Sequence, residues 1–372
     1  MNDRFENINL LRAFAATAVV VYHVIEFTHW KSFPITGPLL TFRIGWIGVD
    51  LFFVISGFVI TSSALALYRK DGSEFHRTYW TRRLSRIVPL YVLTGALWIV
   101  FFGQDLLDEP VRRWVWQIVA HLSFTHTFWP ATFALIDGVN WTLGIEMQFY
   151  LAVALLTPWL ARTAGWRIWV CCILVAWTWR ATMFYASGPV DPYRLFMRVI
   201  QLPGTLDEFG AGIFLAKILQ ARPGPKPAAG WGWAIASVVL GTACMGLYWP
   251  HAYYWNQAGM VIFWRTSLGM FFLCVVAAAV HLPQVAQKWP LRPVHYVGVV
   301  SYGIYLWHMF AIRLCLGLHG ITPQQALALT LGLTLLLASA SWHFFEKPIL
   351  EFGRRLSASK AHPIAAAAPR DA

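Results

Sequence analysis

The chain is 372 residues long, 58% hydrophobic and only 12% charged, with a formal net charge of +12. Apolar runs recur at membrane-spanning length, which excludes a soluble enzyme and identifies an integral membrane protein. In such a protein a positive balance follows from loop topology, so no nucleic-acid partner is expected.

Ten spans are predicted, near 8–28, 46–67, 87–103, 141–160, 167–187, 199–219, 231–249, 260–280, 295–315 and 325–345. The first holds both Arg12 and His23. Eleven helical residues at about 100° each return the two side chains to within roughly 20° of one face, about 16 Å apart along the axis. A cation and an imidazole on one stripe of a membrane helix are costly and by default functional. A snorkelling Arg with a hydrogen-bonded packing His is the bland alternative. Arg12 also interrupts the first apolar run, and no small-residue cleavage site follows, so no cleavable signal peptide is expected.

The second span opens with Gly45-Trp-Ile-Gly-Val-Asp50 and carries Ser56-Gly57. An acid this close to a buried run needs a partner. The basic loop before the third span ends in Arg82-Arg83-Leu-Ser-Arg86. If helical, Arg83 and Arg86 share a face. They read either as a positive-inside anchor or as a clamp for phosphate oxygens, to which guanidinium forks are suited. Residues 114–136 are apolar but broken by His121, His126, Trp129 and Pro130, and are predicted to be re-entrant or interfacial.

The fourth span begins Trp141-Thr-Leu-Gly-Ile-Glu146-Met-Gln-Phe-Tyr150, with Glu146 its only acid. Around Asp207-Glu208 the sixth span contains Pro203 and several glycines, which predicts a broken or locally unwound helix. Ser301 and His308 in the ninth are seven residues apart and share a face; at about 10 Å they are too distant for a nucleophile pair. They either bridge helices or line a pocket. All five cysteines fall in predicted spans, with neither a disulfide framework nor metal spacing.

With the N-terminus inside, 20 of the 29 Lys and Arg collect on the cytoplasmic side, 6 on the other, and 3 lie within spans. That asymmetry predicts both termini in the cytoplasm. Residues 220–230 are a Pro/Gly-rich linker. The expected division is a transmembrane domain over 1–350 and a disordered cytoplasmic tail over 351–372. On this topology His23, Asp50 and Glu146 lie toward the outer half of the bundle, and Arg83 and Arg86 lie inside.

These blocks resemble the type 3 acyltransferase family of multispan membrane proteins. The resemblance is carried by Arg12-(ten residues)-His23, Gly48-Val-Asp-Leu-Phe-Phe-Val-Ile-Ser-Gly-Phe58, Arg83-Leu-Ser-Arg86, Trp141 to Tyr150, Ser301-Tyr-Gly-Ile-Tyr-Leu-Trp-His308 and Glu346-Lys-Pro348. It covers about residues 7–350. Thr142 stands where the family commonly has Ser, and Met147 where it often has Glu. The resemblance implies an all-α bundle set in the bacterial inner membrane; some members carry a fused soluble domain, and none is expected here. It also implies acetyl-CoA as cytosolic donor and an extracytoplasmic carbohydrate as acceptor, with an exopolysaccharide or lipopolysaccharide favoured. Membrane lipids would be its other partners.

On that reading Arg83 and Arg86 hold the CoA phosphates, and Arg12 assists the carrier or sits in an ion pair. His23 is the general base, or alternatively becomes acylated. Glu146 or Asp50 orients His23. Trp141, Tyr150, Ser301 and His308 are candidate pocket residues, and no metal is called for. A multispan transporter or exporter is the rival from another class.

Overall fold

The computed structural model describes residues 5–103, 109–133, 136, 138–188, 191–221, 224, 226–251 and 254–358. Every regular element among them is helical. The helices are α1 (Asn7–Phe27), α2 (Gly48–Asp71), α3 (Phe75–Phe102), α4 (Val111–Leu122), α5 (Trp141–Arg162), α6 (Gly165–Ser187) and α7 (Pro192–Val199). They continue as α8 (Leu202–Ala221), α9 (Pro227–Tyr248), α10 (Ala258–His281), α11 (Arg292–Val299), α12 (Ser301–Leu316) and α13 (Pro323–Ser341). A π-helical turn, Trp342–Glu346, leads into α14 (Lys347–Ala358).

Among the described residues eight helices are long and apolar enough to cross a membrane, and the count reaches nine if α11 and α12 form one bent span. These make the chain an integral, multi-pass membrane protein. The expected ninth span is thus not one helix: α11 and α12 meet at 74° across Val300. A Cβ at Gly298 would lie 1.8 Å from the Asn9 carbonyl oxygen, so α11 is pressed onto α1. The chain then leaves helical geometry at Val300, with φ −91° and ψ 10°.

The expected sixth span, 199–219, is interrupted at Ile200–Gln201, between α7 and α8, just before Pro203; from Leu202 onward α8 is unbroken, so its glycines unwind nothing. Pro203 lies in its first turn, where the missing N–H costs no intrahelical bond. Its glycines serve close packing: a Cβ at Gly57 would meet the Phe209 carbonyl oxygen at 2.2 Å, and one at Gly212 the Val54 carbonyl oxygen at 2.2 Å. Small residues of this kind let two membrane helices approach backbone to backbone.

The core is built of α10, α1 and α2, whose most apolar stretches are 72%, 67% and 61% buried; those of α9 and α6 are 11% and 17% buried, at the periphery. α8 packs chiefly against α2 and α6, α12 against α13, and α14 against α3. The start of α1 is fastened to the end of α10 by Asn7, which donates to the Ala279 and Pro283 carbonyls at 3.2 and 3.0 Å and accepts from the Val285 N–H at 3.0 Å. Lys217 caps the end of α5 by donating to the Leu160 and Ala161 carbonyls at 2.8 and 3.0 Å.

Within 114–136 the one long element is α4, whose twelve residues rise roughly 18 Å, well short of a bilayer core. The Arg82–Arg86 motif, expected in a loop, lies inside α3. The expected domain boundary at 350/351 falls within α14, whose helix continues to Ala358. The rest of the tail, 359–372, lies outside the described residues, as do 222, 223 and 225 of the expected linker.

Candidate active site

Two cavities lie back to back in the bundle. The first, of about 800 Å³, is lined by Arg12 of α1, Ser56 of α2, Arg83 and Arg86 of α3, and Glu146 and Tyr150 of α5. The second, of about 1180 Å³, is lined by His23 of α1, Asp50 of α2 and Arg265 of α10. Val49 of α2 and Tyr305 of α12 line both, and so form a shared wall. The Arg12–His23 stripe read from the sequence therefore runs from one cavity to the other along α1.

In the arginine cavity three guanidinium groups face one carboxylate. Arg83 is 8% exposed, sits over the Tyr79 and Tyr150 rings at 5.7 and 5.9 Å, and its Nε is buried without a partner. Glu146 Oε1 accepts from the Ser56 hydroxyl at 2.5 Å and from the Tyr150 hydroxyl at 2.7 Å. Ser301 lines the same cavity. An excess of buried positive charge with an unsatisfied donor suits an anion, and planar guanidinium groups suit phosphate.

The histidine cavity is walled by aromatic rings, among them Trp46, Trp141, Tyr193, Tyr248, Tyr254 and Trp255. Such rings offer flat apolar faces with polar edges. Asp50 opens α2 and is fully buried; Arg265 donates to it at 2.6 Å and approaches Glu208 at 3.5 Å. Nearby, Arg180 pairs with Asp207, which also accepts from the Thr266 hydroxyl at 2.5 Å. The acidic pair of α8 thus binds α6 and α10 together.

The expected orientation of His23 by Asp50 or Glu146 is not what the structure shows. The ring nitrogen of His23, Nδ1, lies 3.1 Å from Nε2 of His308. Asp50 is engaged by Arg265, and Glu146 opens into the arginine cavity, not the histidine one. Of the candidate pocket residues, Trp141 lines the histidine cavity and Tyr150 and Ser301 the arginine cavity. His308 is fully buried behind His23 and lines neither.

Sequence reasoning missed Arg265, Tyr305 and most of the aromatic wall. Arg265 carried a usable signal, being an arginine within an apolar span. Tyr305 lay inside a motif already noted, yet only its position between two cavities reveals it.

The segment 123–133 braces the start of α5. His126 donates from Nε2 to the Asn140 carbonyl at 3.1 Å, and Gln148 donates to the Thr127 hydroxyl at 3.1 Å. Burial, with the His121 ring stacked 4.4 Å away, pushes the His126 pKa down to about 4. Among the described residues no cluster of three or more His, Cys, Asp or Glu is placed to hold a metal ion.

The family described as "Acyltransferase domain" matches residues 5–343. The chain is 28% identical to the Bacillus subtilis protein YrhL, provisionally named a peptidoglycan O-acetyltransferase, over 93% of its own length and 55% of that protein's. It is 27% identical to the peptidoglycan O-acetyltransferase OatA of Listeria monocytogenes, over 93% and 56%. A Staphylococcus aureus protein provisionally named an O-acetyltransferase is 26% identical, over 92% and 57%. The chain therefore spans somewhat more than half the length of these relatives. No solved structure gives a significant match.

Proposed function

The chain belongs to this acyltransferase family, and on that premise we propose that it is a membrane-embedded O-acyltransferase taking a short acyl group, acetyl by preference, from acyl-CoA to a glycan hydroxyl. The observation that carries the reading is the pair of cavities sharing Val49 and Tyr305. One is charged for a phosphate-bearing donor; the other presents an imidazole among aromatic rings fit for stacking on sugars.

Arg83, Arg86 and Arg12 hold the donor phosphates and the polar arm. The thioester reaches the shared wall, where the acceptor oxygen attacks its carbonyl carbon. His23 takes the hydroxyl proton, the new C–O bond forms, the C–S bond breaks, and the thiolate is protonated on the donor side. Glu146, held by Ser56 and Tyr150, shapes the donor cavity. Asp50 supports the acceptor cavity through Arg265.

The donor cavity faces the cytoplasm and the acceptor cavity the exterior, with both termini cytoplasmic, in keeping with the Lys/Arg asymmetry. Counting α11–α12 as one crossing and adding α8, the helix that carries Asp207, Glu208 and Lys217, gives ten, an even number. The membrane is the inner membrane of a bacterium. For the acceptor, exopolysaccharide and lipopolysaccharide stand beside peptidoglycan, the glycan in the names of two relatives.

The test uses inside-out membrane vesicles given acetyl-CoA labelled in its acetyl group, with each candidate glycan added. Wild type should label one glycan, and His23→Ala, at matched protein level, should fall about 100-fold or more. Arg83→Ala should chiefly raise the donor KM. Equal labelling by His23→Ala would remove His23 from the chemistry. No labelling with any glycan, alongside uptake of a solute, would replace the reading with a transporter.

A further inference from the structure

His308 carries no contact with either cavity, yet its ring is bonded on both edges. Its Nδ1 lies 2.6 Å from the backbone carbonyl oxygen of Tyr305, and its Nε2 lies 3.1 Å from Nδ1 of His23. Both rings sit inside the bundle, with centroids 5.1 Å apart and planes 35° from parallel. No carboxylate hydrogen-bonds either ring among the described residues.

A carbonyl oxygen only accepts, so the His308 nitrogen facing Tyr305 must carry a proton. A neutral imidazole has one N–H, which leaves His308 Nε2 as a bare acceptor. The proton between the rings therefore belongs to Nδ1 of His23. Nε2 of His23 is then left with its lone pair.

We infer that His308 is a positioning residue: anchored on the Tyr305 carbonyl, it holds His23 in the tautomer whose Nε2 is free to take a proton from the acceptor hydroxyl. The arrangement does with a second neutral ring what a carboxylate does for a catalytic histidine elsewhere, fixing tautomer and ring plane. It places no fixed negative charge in the bundle, where one would need its own partner. The same Tyr305 contributes its side chain to the wall between the cavities. The wall and the orientation of His23 are therefore set by one residue of α12. The inference rests on the acyltransferase reading for the role of the proton, but not for the tautomer itself.

Two measurements on the full-length protein test it. Solid-state ¹⁵N spectra of histidine-labelled wild type, assigned by the signal lost in His23→Ala, should show His23 protonated on Nδ1 and bare on Nε2. The reverse tautomer overturns the inference whatever the protein's activity.

In the acyl-transfer assay His308→Ala should lower kcat by about 10- to 100-fold, the usual cost of losing an orienting partner. The donor KM should stay within about twofold, since His308 does not line the arginine cavity. His308→Gln, whose amide oxygen can accept from His23 in place of Nε2, should recover most of kcat, while His308→Leu should not. Full turnover in His308→Ala, or equal loss in the Gln and Leu variants with donor KM unchanged, sinks it. If wild type transfers no acyl group, the function reading fails, and the spectra still decide the tautomer.

Discussion

Asp50 and Glu146 each sit near the start of a helix and each lines a cavity, but their partners assign them different work. Asp50 is bound by Arg265, whose next carboxylate oxygen, from Glu208, is a full 3.5 Å away. Replacing Asp50 with Ala leaves the buried Arg265 guanidinium with only its longer ion pair to Glu208. We expect a loss of about 3 kcal/mol, read as a lowered unfolding midpoint in detergent, the lower end of the cost of breaking a buried pair because one carboxylate partner remains. Glu146 receives two hydroxyl donors and keeps its place among arginines. The sequence made Arg12 and His23 legible because helical periodicity alone puts them on one stripe. It could not supply the partners: His308 is 285 residues from His23, and Arg265 is 215 from Asp50. Such pairings come from tertiary packing, which no local pattern encodes.

At the scale of elements, α2 and α12 supply Val49 and Tyr305, the two residues that line both cavities. The Tyr305 hydroxyl donates to the Val139 carbonyl at 3.1 Å and accepts from Thr142 at 2.9 Å, so its ring is fixed from the start of α5. Val49 has no such anchor and sets the free width of the wall. Val49→Ala should raise turnover of butyryl-CoA relative to acetyl-CoA by about tenfold in competition, since one or two methylenes in an apolar slot decide selectivity of that order. An unchanged ratio would place acyl-chain selection elsewhere. The cavity lining along α5 groups Glu146 with the arginines, where the sequence grouped it with His23 and Asp50. Trp141 faces the histidine cavity and Thr142 already faces the arginine cavity. The boundary between cavities thus falls at the first turn of α5, and a residue near the start of that helix already opens into the arginine cavity. Similarly, the bend at Val300 depends on Gly298 meeting Asn9 across the bundle.

For the whole molecule, the fold class was legible because spans announce themselves by apolar length, and a bundle of helices is the means by which this sequence satisfies its backbone in lipid. The sixth predicted span is α8, which carries Asp207, Glu208 and Lys217 and lies against α2 and α6 in the interior. Its charges are tolerated because Arg180 and Arg265 come from neighbouring helices to meet them. The same helix whose polarity weakens its signal as a span joins α2, α6 and α10 into one core.

The wall of Val49 and Tyr305 has an electrical consequence. In the proposed reaction the acceptor proton is released on one side while the thiolate is protonated on the other. Each turnover then moves the equivalent of one acylium cation outward, a full elementary charge. A membrane negative inside opposes that movement by about 2.3 kcal/mol per 100 mV. Neither wall residue is a ready carrier for returning the proton, since Val49 is apolar and the Tyr305 hydroxyl is already committed to the Val139 carbonyl. Acyl transfer in sealed vesicles should therefore slow as an imposed potential makes the donor side negative. A rate indifferent to voltage would mean that the proton travels back through the bundle with each acyl group that leaves.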